Sequence, residues 1–181
     1  MPVKALITVE ELEQLPEDDY RYELVEGELI RMSPTKPTHG KIAMKIARIL
    51  GNYIEAKGLG EIYGTDVGFI IKRDPDTVRA PDIAFVSRER IPEDLGEAFF
   101  PYAPDLAVEI LSPDESAMEV QDRVENYFQG GSKMVWIVNP KTRTVTVYRS
   151  LTDIQVLAAN DQLTGNDLIL GLSFQVASIF L

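Results

Sequence analysis

The apolar positions of this chain fall into blocks whose spacing switches between helical and strand periods. Thr8-Val-Glu-Glu11 has the spacing of a capping box, with Thr8 as N-cap and Glu11 three residues on, and predicts a short edge helix that stops before Pro16. The acidic run Pro16-Glu-Asp-Asp19 then reads as a turn. Tyr22 to Met32 mixes alternation with a central Gly27, which predicts two short strands joined at Glu26-Gly27 as a hairpin. From Thr38 to Lys57, Ile42, Ile46, Ile49, Leu50, Tyr53 and Ile54 recur at helical spacing, and Gly58 supplies the stop. Lys41, Lys45 and Arg48 share the opposite face of that helix, an arrangement that a merely solvated face also produces.

Glu61-Ile-Tyr63, Val67 to Lys72 and Ala80 to Val86 read as three successive strands, with a turn at Asp74-Pro-Asp76, and succession predicts antiparallel pairing. Residues 87 to 104, broken by Pro92, Pro101 and Pro104, predict a long surface connection of the kind that often carries function. Asp105 to Leu111 reads as a buried strand with a single charge, Glu109, inside it. Ser116-Ala-Met-Glu119 repeats the capping-box spacing and opens a second long helix, with Met118, Gln121, Val124 and Phe128 as its periodic positions and Gly130-Gly131 as its end. Met134 to Val138 is continuously apolar, as befits a strand covered on both faces at the sheet centre. Thr144 to Tyr148 alternates like a half-exposed strand, Ile154 to Leu157 reads as an edge strand, and Leu168 to Leu170 as a closing turn. With no internal repeat and no linker, the expected architecture is one domain over residues 1–181, α/β, with a central mixed sheet flanked by helices.

Composition narrows the chemistry. The 181 residues are 45% hydrophobic and 26% charged, which excludes disordered and collagen-like chains. The absence of cysteine removes disulfide scaffolds, thiol nucleophiles and cysteine-ligated metal centres. No stretch approaches the roughly 18 apolar residues of a membrane span, and no basic-then-apolar leader is present, so the expectation is a soluble cytoplasmic protein. The net charge of −11 opposes simple coating of nucleic acid, yet residues 31–60 hold six basic residues against one acidic, leaving a local basic segment. With one histidine, His39, at a helix start, where capping or hydrogen bonding is the usual role, zinc catalysis lacks ligands. No Gly-x-Ser-x-Gly elbow, phosphate loop or dinucleotide fingerprint occurs.

Two carboxylates remain. An ionised group inside an apolar strand is costly unless it is paired, hydrogen-bonded or bound to metal, and Glu109 is such a group. Asp82, after Ala80-Pro81 and before Ile83 to Val86, stands at a strand entrance. On neighbouring strands the two could hold a hard divalent cation such as Mg²⁺ and leave positions for water and a phosphate oxygen. The alternative is that Asp82 caps a turn while Glu109 pairs with Arg79 or Arg123.

Pro81-Asp82, the strand Val108-Glu109-Ile110-Leu111-Ser112-Pro113 some 27 residues on, the helix end Tyr127-Phe-Gln-Gly-Gly131 and the strand Val135-Trp-Ile-Val-Asn-Pro140 follow one another in order. With Tyr22 to Glu28 and His39-Gly-Lys-Ile42, this series resembles the Uma-type family of restriction-endonuclease-like proteins, within the PD-(D/E)xK nuclease superfamily, over nearly the whole chain. The resemblance implies a restriction-endonuclease-like core and a Mg²⁺-dependent DNA endonuclease, with Mn²⁺ as a substitute. It makes Asp82 the motif aspartate, Glu109 the motif glutamate, the Ile110 carbonyl a further metal ligand and Glu23 an additional acidic member. The motif lysine position holds Leu111, and the helix position where the family typically carries a lysine holds Arg123. Arginine keeps its proton, so Arg123 could stabilise charge on a phosphate but not act as base. DNA is then the expected substrate, a homodimer the expected assembly, and Lys41, Lys45, Arg48, Lys72 and Arg73 the candidates for a DNA-facing strip. The competing expectation is a nuclease fold without turnover, serving as a homodimeric binding module.

Overall fold

The computed structural model describes residues 6–16, 20–94, 96 and 98–181, so most of the acidic turn expected at 16–19 lies outside it. Helix α1, Val9–Glu13, forms where the capping box predicts it: Glu11 N donates to Thr8 Oγ1 at 3.2 Å and Thr8 N to Glu11 Oε2 at 2.8 Å. Strands β1, Arg21–Val25, and β2, Glu28–Met32, pair antiparallel, with Glu23 opposite Ile30. Their turn needs left-handed backbone at both Glu26 and Gly27, with φ of 51° and 75°, which explains the glycine in the second place. Helix α2, Pro37–Lys57, starts one residue before the expected Thr38, with proline as its first residue, and ends at Gly58 with φ 62°.

Strand β3, Gly60–Gly64, is followed by β4, Phe69–Lys72, β5, Thr77–Arg79, and β6, Ile83–Ser87, then after a long connection by β7, Leu106–Ile110. Helix α3, Ala117–Gln129, carries its own capping box, and β8, Met134–Asn139, β9, Thr144–Tyr148, and β10, Ile154–Leu157, complete the larger sheet. A small β11–β12 hairpin, Gln162–Thr164 with Ser173–Gln175, encloses the closing turn.

The six-stranded sheet runs β10-β9-β8-β7-β6-β3, and a four-stranded sheet runs β2-β1-β5-β4. The larger sheet is mixed: β7 and β8 are parallel and its other pairs antiparallel, with β8 in the interior as its unbroken apolar run requires. One expectation is corrected. The strands read between 61 and 86 do not form a single antiparallel set, because β3 pairs with β6 while β4 turns away to pair with β5 in the other sheet. The strand that diverts it, β5, is three residues long and buried throughout, too short to show a period.

Helix α2 lays Ile42, Ile46, Leu50 and Ile54 on one face of the large sheet, against Ile83, Phe85, Leu106, Val108, Ile110 and Trp136. The opposite face of the same strands packs Ala84, Val86, Ala107, Val135 and Ile137 under α3 and β4, where Phe69 stacks on Phe100 with ring centroids 4.8 Å apart. Alternation along β7 therefore sends Ile110 toward α2 and Glu109 toward α3. The buried stripe of α3 is also rotated from the expected one. Met118 is 71% exposed, and Val124 and Tyr127 are its buried positions. The face toward Glu109 holds Arg123 and Tyr127, which lie outside the expected series of Met118, Gln121, Val124 and Phe128.

Candidate active site

The register of β6 on β7 pairs Ile83 with Val108, and one further step along it sets Asp82 opposite Glu109. Two carboxylates 27 residues apart in sequence thereby become cross-strand neighbours at one end of the large sheet. Asp82 does not cap a turn: its Oδ2 accepts from the Ile110 backbone N at 2.8 Å and lies 3.1 Å from His39 Nε2, while Oδ1 accepts no hydrogen bond among the described residues. Glu109 is buried, with Tyr127 OH donating to Oε1 at 2.6 Å and Arg123 Nη1 to Oε2 at 3.3 Å. The arginine contact is single rather than a fork, because Nη2 goes to Glu115 Oε1 at 2.8 Å. Arg123 Nε is buried without an acceptor among the described residues.

Glu23, on β1, lines the same cleft, but its oxygens are committed: Arg79 Nη1 reaches Oε2 at 2.8 Å and Ala80 N reaches Oε1 at 2.9 Å. Arg79 also donates through Nε and Nη2 to Asn126 Oδ1, tying β1, β5 and α3 together. Of the two arginines considered for Glu109, Arg123 is the partner, and Arg79 serves Glu23. Between the two sheets Glu23, Asp82, Glu109, Ile110 and Arg123 line a cleft of about 1260 Å³, which also includes Leu111.

Burial pushes the Glu109 carboxyl up to about 8, and the charges of Asp82 and Glu23 add to the shift, while Arg123 and the Tyr127 hydroxyl oppose it. Glu109 therefore holds a proton at neutral pH. The bond to Asp82 raises the His39 imidazole against the opposing effect of burial, with help from the Asp82 charge, the Ile110 carbonyl and Glu115. Burial pulls Arg123 down, but Glu109 and Glu115 more than offset it, so that its pKa rises and it stays a cation.

Sequence reasoning placed Asp82, Glu109, Ile110 and Arg123 in one neighbourhood, and the structure brings all four together with Glu23 on the same cleft. Sequence reasoning missed Asn126 and Tyr127 as site residues, and it offered Arg79 to Glu109 where the structure gives it to Glu23. Part of the signal was present, since Arg123, Asn126 and Tyr127 stand three and four apart and so share a helix face. His39 lies three residues before Ile42, at the polar end of the stripe that faces the sheet, and it hydrogen-bonds as a helix-start histidine was expected to. The basic strip divides: Lys41, Lys45 and Arg48 line a shallow depression on the outer side of α2, whereas Lys72 pairs with Glu26 and Arg73 with Glu10 and Asp76.

Among the described residues there is no group of three or more His, Asp or Glu arranged to hold a metal, but Mg²⁺ needs only one or two carboxylates, keeping water on its other positions. Asp82 with its free Oδ1, the unfilled lone pairs of Glu109 and the Ile110 carbonyl are hard oxygen donors of that kind, so the residues fit such an ion.

A sequence model of the Uma2 family, described as "Putative restriction endonuclease", matches residues 9–177. Among solved structures, a protein from Anabaena variabilis ATCC 29413, described as "a putative nuclease belonging to DUF820", is 25% identical. It superposes with a TM-score of 0.84, covering 96% of this chain and 97% of that one. No curated protein matches the sequence.

Proposed function

Because this chain belongs to the Uma2 family of nuclease-fold proteins, we propose that it is a Mg²⁺-dependent endonuclease that hydrolyses phosphodiester bonds in DNA. The observation that carries the proposal is the cross-strand pair Asp82 and Glu109 on the wall of an open cleft, with the cation of Arg123 beside it. In this reading Asp82, Glu109 and the Ile110 carbonyl hold Mg²⁺, or Mn²⁺ in its place. When bound, the ion lowers the pKa of a water and offsets phosphate charge.

The remaining steps fall to the chain itself. On binding the ion Glu109 would lose its proton to solvent water, and Tyr127 OH and Arg123 fix the plane of its carboxylate. Arg123 holds its positive charge beside the place where negative charge would build on the phosphate oxygens, and it transfers no proton. Glu23 acts at one remove, clamping Arg79 and the Ala80 amide and so setting the path of Pro81 and Asp82. A homodimer belongs to the same proposal, since a two-fold pair matches the two antiparallel strands of a duplex.

The test is Mn²⁺ calorimetry with plasmid nicking on wild type and on Asp82→Ala, Glu109→Ala. Metal uptake and nicking should both vanish in the double variant, with nicking at least about 100-fold down. A wild type that binds no metal and cuts nothing favours the competing module without turnover, for which the hydrogen bonds already made to both Glu109 oxygens speak.

A further inference from the structure

Asp82 is held unevenly. Oδ2 takes the Ile110 amide at 2.8 Å and the His39 imidazole Nε2 at 3.1 Å, whereas Oδ1 takes nothing among the described residues. Both side chains are 11% exposed, so the contact is shielded from the water that would otherwise compete for it. His39 reaches this place because it is the third residue of α2, and Ile42, Ile46, Leu50 and Ile54, on the same stripe, anchor that helix to the large sheet. The first turn of α2 contains no acidic residue and no side-chain cap, so its dipole favours the negative charge of Asp82.

A carboxylate that swings about its own bond offers either oxygen to an ion. One that has Oδ2 fixed by two donors from different elements offers only Oδ1, in one orientation. We propose that His39 is a positioning residue: it locks Asp82 through Oδ2 and so presets Oδ1 as the cation-binding oxygen of the cleft. The proposal rests on the metal-dependent reading of this site. It assigns the single histidine of the chain to the orientation of a ligand rather than to ligation or to proton transfer.

The experiment uses the full chain, stripped with EDTA, and titrates Mn²⁺ by calorimetry into wild type, His39→Ala, His39→Gln and Asp82→Asn, with Tm recorded in EDTA for each. Glutamine can place a donor close to the Nε2 position, so it tests the hydrogen bond rather than the ring. The expected result is that His39→Ala weakens Mn²⁺ binding by about 10- to 100-fold and that His39→Gln recovers most of it. A role confined to packing would lower Tm in EDTA and leave the Mn²⁺ Kd where it was. If His39→Ala binds Mn²⁺ like wild type while Asp82→Asn does not, this inference is overturned and the metal site stands. If wild type takes up no Mn²⁺, the metal-dependent reading falls and this inference falls with it.

Discussion

Glu109 keeps its proton at neutral pH at a cost to the fold that depends on pH. Its carboxyl titrates near 8 in the folded chain and near the ordinary 4.5 when unfolded, so across that interval the native state binds the extra proton. Stability from this group is complete below pH 4.5, declines as pH rises and is lost above 8. Urea unfolding of the metal-free chain at pH 5.5 and 8.5 should show a drop on the order of a few kcal/mol. Most of that drop should be absent in Glu109→Gln; an equal drop in both proteins would remove Glu109 as its source. Arg123→Lys is the sharper variant for chemistry, because it restores at the helix position a side chain able to lose a proton. It should nick plasmid at least as fast as wild type, whereas Arg123→Gln should fall by about 100-fold.

At the scale of elements, legibility followed the strength of the local signal. Helices α1, α2 and α3 announced themselves through capping boxes, a six-residue apolar stripe or a terminal glycine, and all formed where read. Strand β5 and the β11–β12 hairpin did not, since three-residue strands have no period to detect and draw their order from what packs on them. The site was legible to the same degree. A lone glutamate inside an apolar strand is visible in one dimension, but the partner that hydrogen-bonds it is chosen by the inward turn of α3, which the spacing of Met118 and Gln121 mispointed. Close packing between elements yields two further predictions. Ile46 is fully buried between α2 and the large sheet, and Ile46→Ala should cost about 2–5 kcal/mol in chemical denaturation. Gly60 sits with φ 154° where an added Cβ would lie 2.1 Å from the Val86 carbonyl oxygen. Gly60→Ala should therefore force β3 off β6 and cost at least about 2 kcal/mol by the same measurement.

For the molecule as a whole, the charge of −11 and the basic outer face of α2 would set how it meets the DNA proposed as its substrate. DNA binding should weaken steeply with salt, and replacing Lys41, Lys45 and Arg48 together by glutamine should flatten the slope of log K against log salt by about 2 to 3. An unchanged slope in gel-shift titrations would show that the duplex lies elsewhere. One of the short crossings between the two sheets is Arg79-Ala80-Pro81-Asp82, which leaves β5 in the small sheet and enters β6 in the large one. Arg79 is bolted to Glu23 and Asn126, and Asp82 to Ile110 and His39, so both ends of this strap are fastened. Asp82, on the wall of the cleft, is consequently the end of a tether between the two sheets. Under the proposed reading, a change in the spacing of the two sheets would be passed along these four residues to the carboxylate assigned to the ion, so the width of the cleft and the aim of Asp82 are mechanically linked.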